Sequence, residues 1–200
     1  MVLILSVTTL VIFAGIGFYM RSQQKDMARK LASEAGGNVW YHPGHMWANF
    51  QDDGLAKVGI DKFLRDVLGR IDGVTLPSEG RRVKQGQPLL AVTHDGREVS
   101  LVSPLDGEVC SVNPAGKDDG YLVVLRPTRL KANMGRMKGH GEADGWIGSE
   151  LQRFKDFITL RMGTLQEVGA TLADGGVHAE GIVGKMDEAT FEDFTEKFLR

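Results

Sequence analysis

The densest group of side chains capable of acid–base chemistry lies in a short polar segment between two apolar runs. His94, Asp95, Arg97 and Glu98 surround Gly96 in this segment. General acid–base catalysis needs a cleft that shifts pKa values, whereas adjacent residues on a tight turn are normally solvated. We therefore interpret His94, Asp95 and Arg97 as a polar tip that contacts a partner protein, and we expect no catalytic residue in the chain.

The histidines and the cysteine elsewhere in the chain offer weaker cases for chemistry. His42 and His45 are three residues apart, but the intervening Pro43 and Gly44 disfavour the single helical face that many paired histidine ligands use. Cys110 lies in a predicted strand, and no cysteine or histidine stands near it in sequence to mark it as a nucleophile. The sequence thus predicts no metal ligand and no cofactor.

The charge balance argues against nucleic acid as a partner. The 200 residues include 26 acidic and 24 basic side chains, which gives a net charge of -2. Such a chain lacks the broad electropositive surface that releases counterions from DNA or RNA. Its one cysteine cannot form a disulfide within the chain, so we expect an apolar core to hold the fold.

The first residues carry the pattern of a membrane anchor. Residues 2–20 contain no charged side chain, and about 19 helical residues cross a hydrocarbon core of about 30 Å. Basic side chains follow at Arg21, Lys25, Arg29 and Lys30. Because positive flanks stay on the cytoplasmic side, we predict a single-pass protein of the cytoplasmic (inner) membrane, with its N-terminus outside and its C-terminal domain cytoplasmic. The predicted transmembrane helix is 1–20, and 21–37 is a juxtamembrane helical stalk.

After the stalk, short apolar runs separated by Gly, Pro, Asp and Asn are typical of a sheet-rich domain. Strands are predicted at 89–92, 99–102, 108–112 and 121–125. Asp95-Gly96 is a favoured pair for the type I′ turn of a hairpin, since both central residues of that turn need positive φ. One helix is predicted between Asp61, a suitable N-cap, and Gly69.

Residues 131–200 are predicted to form an extension with amphipathic helices. The segment Ser149-Glu150-Leu151-Gln152 has the form of a capping box and predicts a helix start. The last segment, 187–200, places Phe191, Phe194 and Phe198 on one helical face. Three large aromatic rings on a terminal helix predict burial, either in the protein's own core or against a neighbouring subunit. We include them with the polar tip as candidate partner contacts.

A series of residues in the sheet-rich region resembles the H protein of the glycine cleavage system. The matches fall at the spacing of that family without a gap, at Gly59-Ile60, Leu68-Gly69, Leu76-Pro77, Gly80, Gly86, Pro88, Pro104 and Gly107. The resemblance implies a lipoyl-like barrel-sandwich domain over 38–130, in which a lysine on the hairpin turn carries lipoate. The predicted fold class is therefore α+β, with a single N-terminal transmembrane helix, a β-rich barrel-sandwich domain and a helical C-terminal extension.

The resemblance also reveals a departure from the family. Its lipoyl-lysine position falls on Gly96, which has no side chain, and the guanidinium of the adjacent Arg97 stays protonated and cannot be acylated. No lysine occurs between Lys84 and Lys117, so a shift of register does not restore the site. The resemblance thus implies a domain that keeps the scaffold of the family and lacks its attachment point.

Together these inferences predict a noncatalytic, membrane-anchored accessory subunit that docks on or stabilises a multisubunit complex. Its expected partners are the other subunits of a membrane protein complex, respiratory or photosynthetic in type, and the lipid bilayer through residues 2–20. Two alternatives stay open. One is a lipoyl-type group carrier modified at an unusual site, and the other is a periplasmic adaptor subunit of an export pump, which 83–89 and 103–107 also resemble.

Overall fold

The computed structural model describes residues 12–23, 26–27, 39–114, 120–162 and 181–200. Its β-structure consists of β1 (Val39–Tyr41), β2 (Met46–Phe50), β3 (Ala56–Ile60), β4 (Gly73–Thr75), β5 (Arg82–Val83), β6 (Pro88–His94), β7 (Arg97–Val102), β8 (Gly107–Val112) and β9 (Tyr121–Pro127). A six-stranded sheet has the order β1-β2-β3-β9-β8-β5, and a three-stranded sheet has the order β4-β6-β7. The four strands predicted from the sequence are confirmed as parts of β6, β7, β8 and β9.

One helix precedes the strands in the sequence, one lies between β3 and β4, and the others follow β9. The described part of α1 covers residues 12–23. The others are α2 (Lys62–Leu68), α3 (Leu130–Met134), α4 (His140–Met162) and α5 (Glu188–Phe198), with a 3-10 helix at Ile182–Lys185. The fold therefore has a two-sheet β domain, with α2 inserted between β3 and β4 and most of its helix after β9.

The β6–β7 hairpin forms as its sequence predicts. The two strands pair antiparallel, with His94 opposite Arg97 at the end of the ladder. Between them, Asp95 has φ 48° and Gly96 has φ 77°, which are the two positive values that a type I′ turn needs. This turn carries the residues that the sequence assigns to a polar tip.

The predicted short helix is also confirmed. Asp61 caps α2 by accepting a 2.8 Å hydrogen bond from the backbone N–H of Leu64, and the helix ends at Gly69 in a left-handed conformation. Its apolar stripe is buried against the sheets and consists of Phe63, Leu64, Val67 and Leu68.

The C-terminal helices complete the same hydrophobic core. Phe191, Phe194 and Phe198 of α5 are all buried, and Phe194 and Phe198 pack their rings against Phe154 of α4 at 5.8 and 5.6 Å between centroids. The chain's own core thus covers the three phenylalanines that the sequence offers as candidate partner contacts. The sequence predicts burial either in the protein's own core or against a neighbouring subunit, and the structure shows burial in the core.

One helix boundary differs from its prediction. The helix expected to begin at Ser149 begins nine residues earlier in sequence, at His140. The Ser149 hydroxyl lies inside α4 and donates a 2.7 Å hydrogen bond to the carbonyl of Trp146. Three glycines in the first turns weaken the local preference for a helix, whereas burial of Ala143 stabilises those turns.

The expected membrane anchor is contradicted. Among the described residues, no helix is both long enough and apolar enough to cross a bilayer. Helix α4 carries charged side chains, including Glu142, Glu150 and Arg153. The predicted transmembrane helix is therefore wrong, and so are the single-pass topology and inner-membrane localisation derived from it.

The basic residues predicted to flank the anchor lie partly inside and partly outside the described residues. Arg21 lies in α1 and is exposed. Lys25, Arg29 and Lys30 lie outside the described residues, as do the first ten positions of the predicted anchor at 2–20. The bilayer contact expected of 2–20 depended on a spanning helix and is withdrawn with it.

Candidate functional site

The β6–β7 hairpin leaves its turn open to solvent. Gly96 is exposed, and a Cβ atom built on it would meet no described atom within 4 Å. The positive φ of Gly96 explains the residue type, because an L side chain at that position strains the backbone. This turn position is thus accessible to solvent, but it carries no side-chain functional group.

His94 at the base of the turn is buried. It is 6% exposed, and its Nδ1 lies 2.7 Å from the carbonyl oxygen of Arg70. Its Nε2 is buried without a hydrogen-bond partner among the described residues and lies 3.4 Å from Oδ2 of Asp95. The sequence-based expectation of a fully solvated tip is therefore wrong for His94, whereas the Asp95 carboxylate is 69% exposed and fits it.

Asp72 joins this pair from the segment before β4. Its Oδ2 accepts a 2.9 Å hydrogen bond from the backbone N–H of Asp95, and its Oδ1 accepts a 2.9 Å hydrogen bond from Arg70 Nε. Arg70 Nη2 also lies 2.8 Å from the same Oδ1 in an ion pair. The Asp95 N–H is the main cause that lowers the pKa of Asp72, followed by Arg70. Asp72 is thus held as a carboxylate beside the turn.

The C-terminal extension packs against the other side of the hairpin. Arg97 Nη1 donates a 3.4 Å hydrogen bond to the carbonyl of Val183, and the Arg97 guanidinium lies 5.2 Å from the ring centre of Phe191. A Cβ on Gly184 would stand 2.7 Å from Asp95 Oδ2 and 2.9 Å from His94 Nε2. The backbone of the extension at Gly184 therefore lies so close to the hairpin that any side chain there would clash with His94 and Asp95.

A second histidine site lies near the start of β2. Burial is the main cause that lowers the pKa of His42 to about 4, and electrostatic interactions with Arg136 and His45 are the smaller causes. His42 Nδ1 accepts a 3.0 Å hydrogen bond from the N–H of Gly44, which requires an unprotonated nitrogen. The nearby His45 contacts Asp61, and Glu150 lies 3.8 Å from its other nitrogen. These contacts explain both histidines as internal structural residues.

The sequence did not single out two of the residues that complete the hairpin site. Asp72 stands alone in an ordinary turn, and Gly184 is one of 26 glycines. Both contact the hairpin only through tertiary packing. No local pattern in the sequence marks Asp72, because its hydrogen bond to the Asp95 N–H joins positions 23 apart.

A two-sheet β domain with a solvent-exposed hairpin turn at this place is the lipoyl-type class of domain. Residues 39–140 match the family described as Glycine cleavage H-protein. Among similar proteins, the glycine cleavage system H-like protein of Chlamydia trachomatis is 31% identical over 103 residues, which cover 46% of this chain and 88% of that one. The H protein of Methylococcus capsulatus is 32% identical over 110 residues, 55% of this chain and 87% of that one.

The same similarity extends to an archaeal relative and to a solved structure. The probable glycine cleavage system H protein of Thermococcus kodakarensis is 29% identical over 106 residues, covering 48% of this chain and 79% of that protein. A crystal structure of the Mycobacterium marinum H protein has 26% identity and a TM-score of 0.49, over 57% of this chain and 99% of that one. The chain belongs to the glycine cleavage H-protein family.

Proposed function

We propose that this protein is a noncatalytic H-protein-like protein that docks on a multisubunit partner and carries no lipoyl group. The proposal rests on Gly96, an exposed glycine that the sequence resemblance aligns with the lipoyl-lysine position of the family. Acylation needs a nucleophilic amine, and neither glycine nor the permanently protonated guanidinium of Arg97 supplies one. The scaffold is retained without the group that makes its relatives carriers.

The engagement of Arg97 supports the same proposal. Arg97 contacts Val183 and Phe191 of the C-terminal extension, so its side chain braces the hairpin instead of extending into solvent. A swinging prosthetic arm needs a free attachment point, whereas a docking surface gains from rigidity because less side-chain entropy is lost on binding. The C-terminal extension thus packs against one side of the hairpin and restricts the motion of Arg97.

The exposed part of the hairpin is the surface that we propose for docking. Asp95 and Glu98 are exposed at the turn, beside the exposed Gly96. These two carboxylates favour a partner surface with basic side chains, because complementary charge steers association. The proposal assigns no catalytic step to the chain.

The absence of lipoylation is tested by intact-mass measurement. The full chain is coexpressed with a lipoate ligase and lipoate, beside a genuine glycine cleavage H protein as the positive control. We expect the control to gain the mass of one lipoyl group and this chain to keep its unmodified mass. A lipoyl adduct at any residue of this chain would overturn the proposal and favour the carrier alternative.

The docking surface is tested separately by charge reversal. Tagged full-length chain is purified from its native source at native abundance, and co-purifying proteins are quantified for the wild type, Glu98→Lys and Glu79→Lys. Both glutamates are exposed, but only Glu98 lies at the hairpin. We expect Glu98→Lys to reduce recovery of a stoichiometric partner about fivefold or more, and Glu79→Lys to leave it unchanged. Recovery of the wild type as a free monomer would contradict docking.

A further inference from the structure

Three side chains at the base of the hairpin bring potential metal ligands together. One ligand atom each from Asp72, His94 and Asp95 lies within 4.8 Å of the other two. The residues come from two separate segments of the chain, the connection before β4 and the β6–β7 turn. Carboxylate oxygen and imidazole nitrogen are both ligands of divalent first-row metals. Acidic clusters are common without a metal, so the argument rests on His94.

His94 presents a free nitrogen lone pair to this cluster. Its Nδ1 lies 2.7 Å from the carbonyl oxygen of Arg70, and a carbonyl can only accept, so Nδ1 carries the proton. In the neutral ring Nε2 then has a lone pair, and this atom is buried without a hydrogen-bond partner among the described residues. A backbone carbonyl that fixes the ring through its other nitrogen is the arrangement that orients metal-binding histidines.

The distance between the first two ligand atoms fits a metal ion. His94 Nε2 and Asp95 Oδ2 are 3.4 Å apart. Two ligands bound to Zn²⁺ at the tetrahedral angle, with bonds of about 2.0–2.1 Å, are separated by about 3.3 Å. His94 Nε2 and Asp95 Oδ2 are therefore already at the separation that two ligands of one metal ion require. We propose that Asp72, His94 and Asp95 bind one divalent transition-metal ion. Zn²⁺ is the ion used to compare distances and to test binding.

The third ligand, Asp72, has a competing partner. Arg70 donates one hydrogen bond to Asp72 Oδ1 and forms an ion pair with it, and the Arg70 side chain is 88% exposed. A carboxylate oxygen has further lone pairs, but the nearby guanidinium charge opposes a cation. Loss of this guanidinium should tighten metal binding, whereas a purely structural role of Arg70 predicts no such gain.

The backbone at Gly184 lies beside the two ligand atoms, His94 Nε2 and Asp95 Oδ2. A Cβ there would approach Asp95 Oδ2 to 2.7 Å and His94 Nε2 to 2.9 Å, so it would occupy space beside both ligand atoms. With three protein ligands, a tetrahedral ion keeps one position for water or for a donor from a partner. The metal inference does not depend on the proposed docking function, and either one can fail alone.

Calorimetric titration of Zn²⁺ into the metal-free full chain tests the proposal. We expect one saturable site for the wild type, and binding at least about tenfold weaker for His94→Gln and for Asp95→Asn. Arg70→Gln should bind about two- to fivefold more tightly, the range that an exposed ion pair is worth. Asp66→Asn, an exposed carboxylate on α2, is the matched control and should bind as the wild type does.

A second readout guards against misfolding and adventitious binding. Circular dichroism melts establish that each variant is folded, and Asp95→Asn alters an exposed group in case the buried His94→Gln is unstable. Co²⁺ in place of Zn²⁺ should give the visible absorption of a tetrahedral site in the wild type, and Asp95→Asn should abolish it. No saturable Zn²⁺ binding to the wild type, or equal binding to the wild type and Asp95→Asn, would overturn the proposal.

Discussion

The side chains of His45 and Asp61 form a buried contact that joins β2 to α2. His45 Nδ1 lies 2.7 Å from Asp61 Oδ2, and the other oxygen of Asp61 accepts the N–H of Leu64 at the start of the helix. Both side chains are only 1% exposed. His45 also holds a positive φ of 59°, which is uncommon for a residue other than glycine. One carboxylate thus caps a helix and pairs with a histidine in a constrained turn.

Replacement of Asp61 should therefore cost more than an ordinary helix cap. Asp61→Ala removes the cap, worth about 1 kcal/mol, and leaves His45 Nδ1 buried without its partner, which costs a further 1–3 kcal/mol or so. We expect the free energy of unfolding in urea to fall by about 2–4 kcal/mol. Asp61→Asn keeps an acceptor for Leu64 and should lose less.

The control for Asp61 lies on the same helix. Asp66 pairs with Lys62 at 2.5 Å, but both side chains are more than half exposed. Asp66→Ala should change the free energy of unfolding by less than about 0.5 kcal/mol. Equal losses for Asp61→Ala and Asp66→Ala would contradict a special role of the buried contact.

His42 should make the stability of the protein depend on pH. Burial lowers its pKa in the folded chain from the ordinary value of 6.5 to about 4, with Arg136 and His45 as smaller causes. Protonation therefore favours the unfolded chain. Stability from His42 is fully present above the unfolded pKa and is lost as the pH falls through the window from 6.5 to about 4. A shift of this size corresponds to roughly 3 kcal/mol as an upper limit.

The contribution of His42 is isolated by comparison with His42→Gln. Glutamine offers a carbonyl oxygen to the N–H of Gly44 in place of Nδ1 and does not titrate. We expect the variant to lose less stability than the wild type between pH 6.5 and 4, as measured by urea unfolding at half-unit intervals. Parallel curves for the two proteins would show that His42 does not titrate as its burial predicts.

Local features of this fold could be read from the sequence, and contacts across the chain could not. The turn at Asp95-Gly96 and the cap at Asp61 depend on residues within three positions of each other, so residue type alone predicts them. The contact of Gly184 with His94 joins positions 90 apart in the sequence. Such contacts are fixed by the packing of the whole core, which one sequence does not reveal.

The errors have the same physical origin. The capping box at Ser149 is locally sound, but burial of Ala143 and the ring contact between Trp146 and His45 favour an earlier helix start. His94 follows the pattern of an exposed turn, yet the strand pairing and the Arg70 carbonyl bury it. In each case tertiary contacts override a local preference. For the candidate site, the sequence found the hairpin and missed Asp72.

Truncation of Phe194 should destabilise the whole β domain. Its ring is fully buried between Phe154 and Phe198, at centroid distances of 5.8 and 5.5 Å. Phe194→Ala leaves a cavity in this aromatic cluster, and we expect the free energy of unfolding to fall by about 3–5 kcal/mol. Leu160→Ala, at an 82% exposed position on α4, is the control and should change it by less than about 0.5 kcal/mol. A loss below about 1 kcal/mol for Phe194→Ala would contradict burial of α5 in the core.

Two substitutions of glycine by alanine should have opposite effects on stability. Gly96 has φ 77° in the turn, and a Cβ there meets no described atom within 4 Å, so the cost of Gly96→Ala comes from backbone strain alone. We expect a loss of about 1–2 kcal/mol in urea unfolding, and a smaller loss for Gly96→Asn because asparagine tolerates this conformation. Gly148 lies exposed within α4, again with open space around its Cβ position. Gly148→Ala should therefore stabilise the protein by about 0.5–1 kcal/mol, because alanine favours the helix. A stabilising effect of Gly96→Ala would contradict the left-handed backbone of this turn.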